Sequence, residues 1–164
     1  MINTTITYTL NHLSNKELDL CEKAEELCIT PNSFNNQFIL NNIYAQYQSI
    51  HIAYTELAHT SIEALKRALF IQWYAVTEPS YLTGIANLNK TAIQQTITLL
   101  EKQIKTTSDK ELQYMLNYYL LWDYVFISIK KSDINEVVIP TINTKNRGQM
   151  GMYWKSILTQ KTKR

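Results

Sequence analysis

Glycine and proline are scarce in this chain: three of each occur in 164 residues. Both residues interrupt regular structure, so a sequence this poor in them has few obligatory turns, and long helices are expected. The glycine shortage also excludes whole classes of chemistry. No glycine-rich phosphate loop and no G-x-S-x-G nucleophile elbow is present, because each needs glycines clustered at fixed spacing. Charge is low as well. Charged residues make up 18%, with 16 basic against 14 acidic and a net of +2. That balance argues against a nucleic-acid binder, whose affinity rests on clustered lysine and arginine. The one basic cluster, Lys155, Lys161, Lys163 and Arg164, reads as a solvated tail.

Cysteine is nearly missing too. Cys21 and Cys28 are the only two, and on one helix they would lie about 10 Å apart, beyond disulfide reach. They read as small buried apolar groups in a reducing compartment. The longest aliphatic-aromatic stretches are interrupted by Gln72 and Asp123, short of the roughly 20 residues of a membrane span. The opening "MINTTITYTL" has neither the basic nor the apolar region of a signal peptide. A cytoplasmic protein with no membrane contact is expected.

What is present is a helical pattern. Hydrophobic residues make up 45%, and a chain of this length can bury roughly 70% of its unfolded surface without metal or disulfide. One domain, 1–164, is the simplest organisation. Ser14 to Glu17, Thr60 to Glu63 and Ser108 to Glu111 each fit the S/T-x-x-E capping box, in which hydroxyl and carboxylate satisfy the first free N–H groups of a helix. A first helix is expected from about Asn15 to Ile29, with Leu18, Cys21, Ala24, Leu27 and Cys28 as its apolar stripe. From Ser33 to Pro79 there is no breaker. A single helix there would span on the order of 60 Å, against a radius of gyration of about 15 Å for a compact domain. A turn at His59–Thr60 resolves the conflict, giving two helices; the alternative is one long helix used for dimerisation.

A fourth helix is expected over Thr91 to Thr106, with Ile93, Ile97, Leu100 and Ile104 inward. A fifth runs from Lys110 to about Ile129, and "GQMGMYWKSILTQ" forms a short last one. "TITYTL", near the N-terminus, alternates with period two and could pair with "EVVIP", residues 136–140, read as a second short strand. The fold class is therefore all-α: a compact irregular bundle of five to six helices in hairpins. The distance between the boxes at Thr60 and Ser108, with Leu65/Leu69 echoed by Leu112/Leu116, is near a HEAT-type period. A helical-repeat origin stands as an alternative to a plain bundle.

Chemistry has little foothold. Glu56-x-x-His59 has the spacing of one half of a di-iron site, but its second half is missing: the other histidines are His12 and His51. The cysteines have acidic neighbours, which disfavour a thiolate. No metal or cofactor is expected. Two stretches stand out instead. "QWYAVTEPSYLTGI", residues 72–85, and "RGQMGMYW", residues 147–154, hold all three glycines and two of the three tryptophans. Pro79 forces residue 78 out of the helical region, placing Tyr81 and Thr83–Gly84 in a connecting loop. Two readings follow. The segments form an internal clasp, with Arg147 held by Glu78 or Asp123. Or Trp73, Tyr74, Glu78, Tyr81, Asp123, Arg147, Tyr153 and Trp154 make a recognition surface, since aromatics with arginine are what such surfaces favour. The function expected is a non-catalytic cytoplasmic interaction or accessory module that binds a protein or peptide partner, with homodimerisation open. The alternative is a small-ligand or catalytic bundle around Glu78, Asp123 and Arg147.

In the clasp reading, Arg147→Ala strands its carboxylate partner and lowers the unfolding midpoint, by about 3 kcal/mol if that partner is substantially buried. Unchanged stability with lost partner binding would mark the stretch as a surface instead.

Overall fold

The computed structural model describes residues 9–29, 34–104 and 106–119. They form an all-α structure of six helices in chain order: α1 (Leu10–Ile29), α2 (Phe34–Leu57), α3 (Ile62–Thr77), α4 (Ser80–Thr83), α5 (Lys90–Ile104) and α6 (Lys110–Tyr119). No strand occurs among the described residues. The expected β pairing, the last helix, and the fifth helix beyond Tyr119 lie outside them. The chain divides into two compact units, Met1–Leu99 and Leu100–Arg164.

In the first unit α1, α2 and α3 pack in succession, and α4 rests on α1 and α3. The turn expected at His59–Thr60 is there. Thr60 and Ser61 donate their N–H groups to the Leu57 carbonyl at 3.1 and 3.0 Å, ending α2. The inward positions of α2, Ile43, Tyr47, Ile50 and Tyr54, are all buried. They keep the seam between neighbouring helices narrow.

The caps correct the sequence reading in a consistent way. α3 is capped by Ser61, whose Oγ accepts from the Ala64 N–H at 3.2 Å, and not by Thr60, whose hydroxyl donates back to the Leu57 carbonyl at 3.3 Å. α6 is capped by Asp109, whose Oδ1 accepts from Leu112 at 2.7 Å, and not by Ser108. Both starts move by one residue, so the spacing between them is kept. The first box fails outright. α1 begins at Leu10, where Thr9 Oγ1 accepts from the His12 N–H at 3.2 Å. Ser14 and Glu17 are inside the helix and buried. The inward face of α1 is thus Leu13, Ser14, Glu17, Leu20 and Ala24, rotated from the expected stripe. That rotation leaves Cys21 half-buried and Cys28 exposed, correcting the expectation that both are buried.

In the second unit the end of α5 and α6 bury Leu100, Ile104, Leu112, Met115, Leu116, Tyr118 and Tyr119. The start of α5, in the first unit, is capped by Asn89, whose Oδ1 accepts from Ala92 at 3.0 Å.

Residues 80–83, expected as loop, form the single turn α4. Glu78 leaves the helical region at φ −122°, ψ 147°, as Pro79 requires. Gly84 closes α4 in the left-handed region at φ 71°, with its N–H donating to the Ser80 carbonyl at 2.8 Å. A Cβ on Gly84 would stand 2.5 Å from Ile43 Cγ2 and 3.2 Å from Ala24 Cβ. Glycine is therefore required twice, for its φ and for the close approach of α4 to α1 and α2. Gly84→Ala combines left-handed strain with overpacking and is expected to destabilise the protein by about 2–4 kcal/mol, measured as a shift of the denaturant midpoint.

Candidate functional site

The interior of the first unit contains more polar chemistry than its sequence advertises. Glu17 of α1 is 3% exposed. Its Oε2 accepts from the Tyr54 hydroxyl of α2 at 2.8 Å and from Arg67 Nη1 of α3 at 3.2 Å. The Arg67 guanidinium also lies 5.9 Å from the centre of the Tyr54 ring, within cation–π range. Tyr47 donates to the Glu17 carbonyl at 3.5 Å. Burial raises the Glu17 carboxyl above the usual range, with Arg67 and Tyr54 offsetting part of the effect. Burial likewise raises the phenols of Tyr54 and Tyr47.

A second polar group lies deeper. His51 is fully buried; its Nε2 is 2.9 Å from Gln72 Nε2, and its Nδ1 has no hydrogen-bond partner. The Gln72 amide N–H donates to His51 Nε2, which leaves the imidazole proton on Nδ1. Burial alone lowers the imidazole to about 4. Nearby, the buried hydroxyls of Thr55 and Thr96 are 2.9 Å apart, and that of Thr55 also donates to the His51 carbonyl. Both groups join helix to helix within the core. Neither is open to solvent, and their contacts are those of structural ties.

What is open is a groove of about 340 Å³ between the end of α1, the start of α2 and α4, lined by Leu27, Cys28, Asn36, Gln37, Leu40, Tyr81 and Leu82. Tyr81 is 61% exposed and Leu82 44%. Phe38 and Ile39 on α2 are also exposed. The groove wall is held in place from several sides. The Cys28 thiol donates to the Tyr81 carbonyl at 3.4 Å, Tyr44 and Ser80 hydroxyls meet at 3.4 Å, and Gly84 locks the far end of α4.

The structure distributes the expected site residues unevenly. Tyr81 lines the groove. Glu78 is exposed at the end of α3. Trp73 is buried and Tyr74 half-buried; with Phe70 they form a row of rings, Phe70 to Tyr74 at 5.2 Å and Trp73 to Tyr74 at 5.9 Å. The Tyr74 phenol is raised by burial first and by Glu78, Cys21 and Glu25 after it. Asp123, Arg147, Tyr153 and Trp154, and with them half of the expected clasp, lie outside the described residues. Glu56 and His59 are both exposed, and no cluster of three or more metal-ligating side chains occurs among the described residues. No helix among them is long and apolar enough to cross a membrane. Sequence reasoning missed Leu27 and Leu40 as groove residues, because apolar residues at helical spacing read as core. It missed Glu17 because its spacing from Ser14 imitates a cap.

The two buried titrating groups pull stability in opposite directions with pH. The unfolded chain protonates His51 more readily than the fold does, so its contribution is complete above pH 6.5 and is lost as pH falls toward 4. Glu17 holds its proton more tightly in the fold than unfolded, so its contribution is present below 4.5 and is lost as pH rises through the folded value. His51→Gln is expected to flatten the acid loss between pH 6.5 and 4 by up to about 3 kcal/mol. Glu17→Gln is expected to steepen it. Denaturant unfolding as a function of pH reads both.

In comparisons with known proteins, the chain matches no family model, no curated protein and no solved structure.

Proposed function

We propose that this chain is a cytoplasmic, non-catalytic helical interaction module that binds a protein or peptide segment through the groove between α1, α2 and α4. One observation carries this reading: Tyr81 and Leu82 stand exposed on a single helical turn whose position is tightly determined. An exposed apolar pair on a fixed scaffold loses little conformational freedom on binding, and that saving favours affinity. Tyrosine in particular supplies a large, stiff contact area. Leu27 and Leu40 extend the apolar floor, and the amides of Asn36 and Gln37 supply polar partners at one edge. The same surface contains part of the aromatic set that the sequence points to. Cys21 and Cys28, neither of them in a disulfide, fit a reducing compartment.

The buried polar groups support the non-catalytic part of the reading. A general acid or base has to reach its substrate, whereas Glu17 and His51 are enclosed and occupied with neighbouring helices.

The test is a titration of isotope-labelled protein with amphipathic helical peptides bearing a leucine face. Amide shifts are expected at Leu27, Cys28, Gln37, Leu40, Tyr81 and Leu82. They should vanish in the Tyr81→Ala/Leu82→Ala variant while its unfolding free energy stays within about 0.5 kcal/mol per site. Shifts that persist in that variant, or that never arise at the groove with any peptide, would overturn the reading.

A further inference from the structure

We draw no further inference here: the strongest candidate, the apolar groove between α1, α2 and α4 lined by Leu27, Leu40, Tyr81 and Leu82, belongs to the site already described, and nothing in the structure shows what covers it.

Discussion

The first unit depends on one buried carboxylate. Glu17 on α1 accepts from Tyr54 on α2 and from Arg67 on α3, so a single side chain ties three helices. An isolated charge in that place would be strongly unfavourable. A buried ion pair can do no more than offset much of its desolvation. What it adds is definition. Apolar seams tolerate sliding, whereas a carboxylate with two directed donors has one good geometry. The rotation of α1 about its axis follows from it. Leu13, Leu20 and Ala24 turn inward with Glu17, and Cys28 and Leu27 turn toward the surface.

The groove is a consequence of that rotation. With Leu27 half-buried and Cys28 exposed, the last turn of α1 offers α4 an edge to lie against, secured by the thiol's contact with the Tyr81 carbonyl. Gly84 then brings the end of α4 to within atomic contact of Ile43 and Ala24. A residue with a side chain there would push α4 away and splay the groove. Core, turn and surface are one mechanical chain, running from Glu17 through the rotation of α1 to the exposure of Tyr81.

Much of the helical layout was legible in the residues themselves. Pro79 ended α3, Gly84 took the left-handed turn, and the mismatch between a single long rod and a compact domain favoured the turn at His59–Thr60 over one continuous helix. Those are local effects of backbone sterics and chain length, and they are written one residue at a time. The caps were legible only to within one residue, because Thr60–Ser61 and Ser108–Asp109 each offer two adjacent side chains able to cap, and the geometry of the preceding turn chose between them. Of the site, Tyr81 was legible through its proline-bounded stretch, while Leu27 and Leu40 were not, since an apolar residue at helical spacing looks the same whether its face is covered or bare.

By itself, then, the sequence determined the all-α class, the breaks between most helices and the absence of the glycine-built chemical motifs, because each of these depends on local conformation and composition. Only the tertiary structure decided which face of α1 turns inward, that Glu17 is a core residue and not a cap, and that Tyr81 and Leu82 border an open groove. The physical reason is that a polar residue is inexpensive to bury only when its partners are in place. Those partners, Tyr54 and Arg67, lie far along the chain and meet Glu17 only after the helices have packed.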